Sequence, residues 1–196
     1  NEGGKQMGNK LPIALSNKHI HLAQEDLDIL FGKGHELTRT KDLSQPGQYA
    51  CEEKVDIAGP KGTLKGVRVL GPIRGRAQIE VSISDAFKLG VTPIVRNSGD
   101  VEGTPGAKII GPKGEIDLKD GVIVAARHIH MHTTDGEKFQ VKDGDIVSVK
   151  TEGMRAVIFE NVLVRVKENF ALEMHVDIEE GNGAGVKNGD LVELIK

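Results

Sequence analysis

The chain consists largely of short segments in which apolar and polar residues alternate, separated by glycine or proline. A period of two is typical of half-buried β-strands, because successive side chains point to opposite faces of a sheet. Strands this short and this closely spaced favour barrel-like sheets over a parallel sheet. The segments with this pattern are KVDIAGPKG, TLKGVRVLGP, QIEVSIS and DIVSVKTEGMRAVIFENVLVRV.

Three longer segments carry related strand patterns. Residues 11–22 and residues 122–131 are each predicted to form one continuous strand. Residues 107–118 are predicted to form a hairpin, because Pro-Lys-Gly between two apolar runs is typical of a tight turn.

Three short helices are predicted between the strands. Residues 23–31 place their apolar side chains on one helical face and are followed by glycine. Residues 84–90 predict a helix of one to two turns that Ser84 caps and Gly90 ends. Residues 133–140 form a third and weaker helical pattern.

The sequence contains an internal repeat. Residues 16–22 resemble residues 126–131, and a short acidic helical pattern follows each of them. Residues 66–91 also align without a gap with residues 161–186, at a shift of 95 positions. This match indicates an internal duplication, so we expect a mainly β protein with short helices and two β-barrel-like domains.

The repeat also predicts the domain boundaries. We expect residues 11–105 to form the first barrel half and residues 106–196 to form the second. Residues 1–10 are polar and rich in glycine, and we expect them to be a disordered lead-in.

Four of the seven histidines lie in two His-x-His pairs, His19 with His21 and His128 with His130. Side chains two positions apart on a strand point to the same face, so each pair brings two imidazoles together. Imidazole is a preferred zinc ligand. Paired histidines can also simply line a strand surface, but two pairs at matched repeat positions favour a metal site.

Each His-x-His pair has one further candidate ligand downstream. The shift of 95 positions aligns Glu80 with His175. Three protein ligands with an open fourth position are typical of catalytic zinc sites. Glu80 could instead be an exposed strand residue, but its alignment with a histidine favours a metal ligand. His132 is a rival third ligand if its strand continues, whereas the helical pattern that follows favours an N-cap or surface role.

Two arginines precede the candidate ligand Glu80. On an ideal strand Arg74 and Arg76 would lie on the same side as Glu80. Arginine suits bidentate recognition of phosphate, although a solvated surface charge is the common alternative. Lys18 and Arg127 each stand directly before a His-x-His pair.

Composition excludes several classes of function. The net charge is −3 and aromatic residues make up only 3%, which argues against a nucleic-acid-binding surface. No apolar run approaches the ~18 residues of a membrane span. The single cysteine, Cys51, excludes an internal disulfide and indicates a cytoplasmic type of redox environment. No histidine motif accompanies Cys51, so we expect a buried or bystander thiol.

Seven segments together resemble the PduL-type phosphate propanoyltransferases, a family of phosphotransacylases. The resemblance extends over essentially residues 11–195. The segments are SNKHIHL, KDLSQPGQYACEE, VRVLGPIRGRAQIEVS, SGDVEGTPG, VIVAARHIHM, VKDGDIVSV and LEMHVDIEEGNGAG.

The resemblance implies an enzyme that interconverts a short acyl-CoA (propanoyl-CoA, acetyl-CoA) and inorganic phosphate with an acyl phosphate and CoA. It implies two Zn²⁺ ions per chain, and Arg74 matches the phosphate-binding arginine. The implied zinc ligands are His19, His21 and Glu80 for one ion, and His128, His130 and His175 for the other. The implied CoA contacts are Ser16, Asn17, Lys18, Lys61, Arg68 and Asn182.

The sequence departs from the family pattern at five positions. Lys18 stands where arginine is frequent, and Ala23 and His132 stand where serine or threonine often caps the following helix. Gly181 and Gly183 replace two alanines. All six implied zinc ligands are intact.

The resemblance also bears on location and partners. Family members in bacterial microcompartments often carry an N-terminal targeting helix, and no such pattern is seen here. We therefore expect a bacterial cytoplasmic protein, or a microcompartment protein if a targeting segment has been trimmed. No nucleic-acid or membrane partner is expected, and the sequence leaves a homodimer open.

Two other functions remain open at this stage. A cupin-like metal-dependent oxygenase fits HIHLAQE, in which Glu25 follows the His-x-His pair, but Glu25 falls in a helical pattern and the second half does not repeat it. The other alternative is a non-catalytic double-barrel binding module, which would have no use for six convergent ligands.

Overall fold

The computed structural model describes residues 7–196. Most elements of this part are short strands, which agrees with the alternating pattern. The strands are β1 (Lys10–Ser16), β2 (His19–His21), β3 (Arg39–Asp42), β4 (Tyr49–Ala58), β5 (Thr63–Gly71), β6 (Gln78–Glu80), β7 (Val95–Arg96), β8 (Ala107–Ile110), β9 (Glu115–Leu118), β10 (Val122–Ala125), β11 (His128–Met131), β12 (Ile146–Lys150), β13 (Ile158–Val166), β14 (Glu173–Asp177) and β15 (Leu191–Ile195). The helices are α1 (Gln24–Phe31), α2 (Ile83–Leu89), α3 (Thr133–Phe139) and α4 (Ile178–Ala184).

The chain divides into two compact units. Asn17–Ala125 form the first, which we call the sheet unit, and Ala126–Lys196 with the described residues up to Ser16 form the second, the barrel unit. The barrel unit is a closed barrel in the order β1-β14-β11-β13-β12-β15. The sheet unit is a nine-stranded sheet in the order β7-β10-β6-β2-β5-β4-β8-β9, with β3 paired to β4. The predicted fold class, mainly β with two barrel-like domains, is confirmed.

Matching elements of the two units support the predicted duplication. At the shift of 95 positions, the bounds of β5 coincide with those of β13, and the bounds of α2 coincide with those of α4. The residues before the two helices, Ser82 and Asp177, both accept a hydrogen bond from the backbone of the third helical residue. Left-handed glycines, Gly90 and Gly185, follow the two helices.

The first strand of each repeat pairs within the unit formed by the other repeat. β1 runs parallel to β14 of the second repeat, and β10 runs parallel to β6 of the first. The unit boundaries therefore fall after residues 16 and 125, whereas the repeat alone predicted a boundary after residue 105. The strands β8, β9 and β10 belong to the sheet unit because they extend its hydrogen-bonded order.

This exchange explains why two strand predictions were wrong. The segment predicted as one strand over residues 11–22 is two strands, β1 and β2, and the segment 122–131 is also two strands, β10 and β11. In both cases two residues leave the strand conformation, and the chain passes into the other unit. Apolar alternation continues through both segments, so it does not report a change of sheet.

The helix and hairpin predictions are largely confirmed. α1 ends at Phe31 and is followed by Gly32, α3 lies within the weak third pattern, and β8 and β9 form the predicted antiparallel hairpin. The predicted cap of α2 was wrong, because Ser82 rather than Ser84 accepts the hydrogen bond from the amide of Asp85. The helix therefore begins one residue before Ser84.

The predicted disordered lead-in overlaps the described residues only in part. Met7–Asn9 form a short 3-10 turn and Lys10 begins β1. The remainder of the predicted lead-in, residues 1–6, lies outside the described residues.

Each unit has its own apolar core. The core of the barrel unit includes Ile13 of β1 and the inward residues of β11, β13 and β14, such as Ile129 and Val164. The core of the sheet unit includes Ile20, Val69 and Ile79. The histidine-bearing positions alternate with these core residues along β11 and β14. No helix within residues 7–196 is long and apolar enough to cross a membrane.

Candidate metal centres

Strand register brings the predicted ligands together as one cluster in each unit. In the sheet unit, His19 of β2 lies opposite Glu80 of antiparallel β6. In the barrel unit, His128 of β11 lies opposite His175 of antiparallel β14. Adding the second histidine of each pair gives two groups whose ligand atoms lie within 4.8 Å of one another. The groups are the Glu centre (His19, His21, Glu80) and the His centre (His128, His130, His175).

In the Glu centre, one carboxylate oxygen faces both imidazoles. The Oε2 atom of Glu80 lies 2.8 Å from Nε2 of His19 and 3.2 Å from Nε2 of His21. The Nδ1–H of His19 donates to the backbone carbonyl of Asn17 at 2.8 Å. In a neutral His19, Nε2 would then carry a lone pair that points at the carboxylate oxygen of Glu80. Two acceptors repel each other, so a proton or a cation must lie between Nε2 of His19 and Oε2 of Glu80.

The pKa directions in the Glu centre follow from this geometry. Burial lowers the pKa of His19, but the charge and hydrogen bond of Glu80 outweigh burial and raise it overall. Burial raises the pKa of Glu80, but His19 and His21 hold it well below its ordinary value. Burial lowers the pKa of His21 to about 4, so His21 is a neutral ligand at neutral pH.

The His centre contains three imidazoles in mutual contact. The ring centroids of His128, His130 and His175 are 4.7 to 5.1 Å apart. The Nδ1–H of His128 donates to the carbonyl of Ala126 at 2.9 Å, just as His19 donates to Asn17. Burial, followed by the neighbouring imidazoles and by Arg165 and Lys167, lowers the pKa of His130 to about 2.

Three buried imidazole nitrogens in these centres have no hydrogen-bond partner among the described residues: Nδ1 of His21, Nδ1 of His130 and Nε2 of His175. The Nε2 atom of His175 lies 3.1 Å from a carboxylate oxygen of Glu173 without forming a hydrogen bond. Buried polar atoms are normally paired, so three orphans within two histidine clusters indicate a missing partner. A metal ion accepts lone pairs from such nitrogens, and both donor sets are ones that zinc prefers. The residues therefore fit the implied metal.

The residues before the two His-x-His pairs make equivalent ion pairs. Lys18 lies 3.9 Å from Asp85 of α2, and Arg127 lies 2.9 Å from Glu180 of α4. Asp85 and Glu180 are themselves related by the shift of 95 positions. The Arg127 guanidinium also packs over the ring of Phe159. These pairs hold the segments before β2 and β11 against the helices of their units.

Arg74 lies beside the Glu centre, but not for the reason that the sequence suggested. The strand β5 ends at Gly71 and β6 begins at Gln78, so neither Arg74 nor Arg76 lies on a strand and the argument from strand phase was wrong. The backbone amide of Arg74 donates to the carbonyl of Leu22, and its Nη1 donates to Oγ of Ser98 at 3.3 Å. Its positive charge partly opposes the raised pKa of His19 and adds a small contribution, after burial, to the lowered pKa of His21.

Arg76 has a different environment from Arg74. It is exposed and pairs with Asp120 on the surface. The solvated-charge interpretation therefore fits Arg76.

The implied CoA contacts have varied environments. Arg68 lies next to His19 on the neighbouring strand, and its Nη1 donates to the carbonyl of Cys51 at 2.6 Å. Lys61 lies in the turn that follows β4, where its amide donates to the carbonyl of Leu89. The remaining positions are Ser16 at the end of β1, Asn17 and Lys18 directly before β2, and Asn182, which is exposed on α4.

Two polar residues beside the Glu centre, Gln78 and Ser98, were missed by sequence analysis. Gln78 donates from Nε2 to Glu80 and to Ser98, at 3.2 and 3.1 Å, and its Oε1 accepts from the amide of Gly99. Ser98 thereby joins Gln78 to Arg74. Gln78 was detectable as the residue two positions before Glu80 on the same strand face, whereas Ser98 is 18 positions further along and carries no such signal.

The rival residues lie outside both centres. His132 caps α3, where its Nδ1 accepts a hydrogen bond from the amide of Thr134, as the helical pattern predicted. Glu25 is exposed in the first turn of α1 and does not join the Glu centre. Cys51 is fully buried, and burial raises the pKa of its thiol to about 11, which is the environment of an unreactive thiol.

Comparison with known proteins decides the family. The sequence pattern of phosphate propanoyltransferases matches residues 12–187. A phosphate propanoyltransferase of Thermotoga maritima is 57% identical over 185 residues, which cover 94% of this chain and 88% of that protein. The enzyme of the same name from Rhodopseudomonas palustris is 50% identical (95% and 83% covered), and that of Clostridioides difficile is 47% identical (95% and 89% covered).

The chain belongs to the phosphate propanoyltransferase family. This is a family of acyltransferases, so the protein is an enzyme of that class, and the resemblance seen in the sequence is confirmed. The residues matched in this phosphate propanoyltransferase family member include both candidate metal centres and Arg74.

Proposed function

We propose that the protein is a phosphotransacylase that interconverts a short acyl-CoA and inorganic phosphate with an acyl phosphate and CoA, with one zinc ion at each centre. Propanoyl-CoA and acetyl-CoA are the proposed substrates. The observation that carries this proposal is the pair of matched ligand clusters, one of which has Arg74 beside it. Membership of the acyltransferase family supplies the reaction class.

His19, His21 and Glu80 would hold one zinc ion, and His128, His130 and His175 would hold the other. When bound, zinc supplies Lewis-acid polarisation of the acyl carbonyl and stabilises the thiolate form of CoA. The chain prepares this function by fixing the tautomers of His19 and His128 through backbone carbonyls, which leaves each Nε2 available as a ligand.

Arg74 is proposed to bind and orient the phosphate. Its planar guanidinium can pair with two phosphate oxygens at once. The hydrogen bond to Ser98, which Gln78 supports, fixes the direction of the side chain. Holding phosphate in line with the acyl carbon replaces a bimolecular encounter with a reaction inside one complex, which lowers the entropic part of the barrier.

The chemical step requires no covalent acyl-enzyme. A phosphate oxygen forms a bond to the acyl carbon, the carbon–sulfur bond breaks, and its electron pair leaves with the sulfur of CoA. The fully buried Cys51 has no part in this step. The polar and basic residues proposed to bind CoA are Ser16, Asn17, Lys18, Lys61, Arg68 and Asn182.

We place the enzyme in the bacterial cytoplasm, because its relatives come from bacteria and its one cysteine is a free thiol. A homodimer and a microcompartment location stay predictions from the sequence.

Phosphate-dependent release of CoA tests the reaction. We expect acetyl-CoA, propanoyl-CoA or butanoyl-CoA to release CoA only when phosphate or arsenate is present. Arsenate esters hydrolyse, so arsenate should drive net breakdown of the thioester. Equally fast release without either anion would identify a thioesterase and overturn the transfer reaction.

The Arg74→Lys variant tests the phosphate site. We expect a raised KM for phosphate and a lowered kcat with both metals retained, because lysine keeps the charge but loses the fork geometry. Arg76→Lys is the matched control, since Arg76 lies two positions away in a surface ion pair. An unchanged KM for phosphate and an unchanged kcat in Arg74→Lys would show that Arg74 does not bind phosphate and is only a solvated charge.

A further inference from the structure

The outward face of the barrel unit carries more polar residues than the three histidines. Register places His175, His128 and Leu163 side by side across β14, β11 and β13. Two positions along, Glu173, His130 and Arg165 form a second row across the same strands. The intervening residues of these strands are buried in the core, so both rows lie on the outer face.

The sheet unit has a corresponding row of the same composition. Glu80, His19 and Arg68 lie side by side across β6, β2 and β5. The repeat-equivalent row of the barrel unit is His175, His128 and Leu163, which contains no arginine. The barrel unit has its glutamate, histidine and arginine in the next row, two residues along each strand, where His130 lies. Arg165 is therefore not a repeat copy of Arg68, which aligns with Leu163. The arginine beside the His centre is therefore a feature of the second repeat alone.

Contacts hold Arg165 in place without a partner carboxylate. Its guanidinium carbon lies 5.5 Å from the centroid of Phe170, and that ring packs against His130 at 4.4 Å. The ammonium of Lys167 lies 5.5 Å from the same ring. Within residues 7–196, neither Arg165 nor Lys167 has a carboxylate oxygen within ion-pair distance. Both donor groups are available to an anion.

The charges of the His centre also favour an anion. The Glu centre contains one carboxylate, whereas the His centre contains three imidazoles and no anionic group that could compensate the charge of a bound cation. Arg165 and Lys167 add positive charge, which contributes to the lowered pKa of His130. The carboxylate in the row of His130 is Glu173, which lies 3.1 Å from His175, on the side of His130 away from Arg165.

We propose that Arg165 is an anion-binding residue of the His centre that takes a phosphoryl group of the substrate. Arginine suits this chemistry because its fork pairs with two phosphoryl oxygens, and the cation–π contact of Arg165 with Phe170 restrains the guanidinium. The phosphoryl group belongs either to inorganic phosphate and acyl phosphate or to CoA. This inference rests on the proposed function, because it takes the substrates from it.

Calorimetric binding to the zinc-loaded protein tests the role of Arg165 without turnover. Inorganic phosphate and CoA are titrated separately into the wild type, Arg165→Gln and Arg165→Lys. Arg155→Gln is the matched control, since Arg155 is an exposed arginine of the same unit. We expect Arg165→Gln to weaken binding of one titrant by about 10- to 100-fold, the loss typical of a hydrogen bond to a charged group. Arg165→Lys should lose less, and Arg155→Gln should bind as the wild type does.

The two arms identify the source of the phosphoryl group. Weakened binding of phosphate alone assigns Arg165 to the transferred group, and weakened binding of CoA alone assigns it to the phosphates of CoA. Unchanged binding of both overturns the proposal. Loss of zinc or of the folded state in both Arg165 variants also overturns it, because Arg165 would then be structural. A wild type that binds phosphate but shows no phosphate-dependent CoA release would instead refute the proposed function.

Discussion

At the scale of single residues, the backbone sets the chemistry of the histidines. His19 and His128 each donate Nδ1–H to the carbonyl two residues earlier, on Asn17 and Ala126. This hydrogen bond fixes the tautomer and aims Nε2 at the other ligands. The two residues before each pair leave the strand conformation, so these carbonyls can turn back towards the ring.

Glu80→Gln should selectively empty the Glu centre. An amide has nearly the same shape as a carboxylate but is a much poorer zinc ligand, so zinc should fall from two equivalents to about one per chain. Phosphate-dependent CoA release should fall by more than about 100-fold, the upper end for residues that only orient ligands. Elemental analysis and activity of the same sample check this.

The control for Glu80→Gln is Glu102→Gln, an exposed glutamate of the same unit. It should keep both zinc ions and full activity. Two tightly held zinc ions and near-native turnover in Glu80→Gln would show that Glu80 is only a strand residue.

Glu53→Gln should reduce stability at neutral pH but not in acid. Burial raises the pKa of Glu53, but hydrogen bonds from His35 and Thr38 outweigh burial and lower it below 4.5. A lowered pKa contributes stability that is present above pH 4.5 and is lost as pH falls through the folded-state pKa. The variant should therefore lose roughly 1–3 kcal/mol at pH 7 and progressively less below pH 4.5.

Urea unfolding of the wild type and of Glu53→Gln across this pH range provides the measurement. The exposed neighbour Glu52 supplies the control variant Glu52→Gln, which should follow the wild type. A deficit of Glu53→Gln that stays constant from pH 7 to pH 3 would contradict the assigned linkage.

At the scale of elements, the helices differ in how they begin. Ser82 and Asp177 cap α2 and α4 with side-chain oxygens, and His132 caps α3 with a ring nitrogen. Ala23, before α1, offers no side-chain acceptor, although Asp26 still accepts from its backbone amide at 3.1 Å. α1 is therefore the one of the four described helices that begins without a side-chain cap.

Ala23→Ser should stabilise the protein by supplying the missing acceptor. The expected gain in unfolding free energy is about 0.5–2 kcal/mol, and Ser82→Ala should lose a similar amount at the start of α2. Thermal and urea unfolding of the two variants check both signs. Because Ala23 is buried, a destabilised Ala23→Ser would show that its hydroxyl finds no donor there.

At the scale of the whole molecule, β1 and β10 each pair within the unit formed by the other repeat, so their residues stabilise that unit. Ile13 of β1 and Val122 of β10 occupy equivalent repeat positions, opposite Met174 and Ile79. Ile13 is in the core of the barrel unit and Val122 is in the core of the sheet unit. Each side chain thus supports the core of the other repeat.

Truncating each of these side chains should loosen the unit that its strand joins. Ile13→Ala should cost about 2–5 kcal/mol, and Val122→Ala somewhat less because fewer atoms are removed. Hydrogen exchange should accelerate in residues 126–196 for Ile13→Ala and in residues 17–125 for Val122→Ala. Acceleration confined to residues 17–125 for Ile13→Ala, or to residues 126–196 for Val122→Ala, would contradict the strand exchange.

The sequence by itself determined the fold class and predicted which candidate ligands lie together. Alternation with a period of two identified the strands, and the repeat at a shift of 95 positions aligned Glu80 with His175. The structure confirms the geometric part of that alignment, because each residue lies opposite the first histidine of its pair. The alternation and the repeat are both patterns along the chain, so they are visible in the sequence without knowledge of tertiary contacts.

Only the tertiary structure decided the assignment of strands to units and the surroundings of the centres. Residues 11–22 show one uninterrupted pattern, yet they divide between two sheets, because hydrogen bonds between strands do not depend on apolar spacing. Arg74 reaches the Glu centre from a loop and contacts Ser98, 24 positions away, and Arg165 reaches His130 from a neighbouring strand. Contacts of this kind depend on strand register and loop path, which apolar periodicity does not encode.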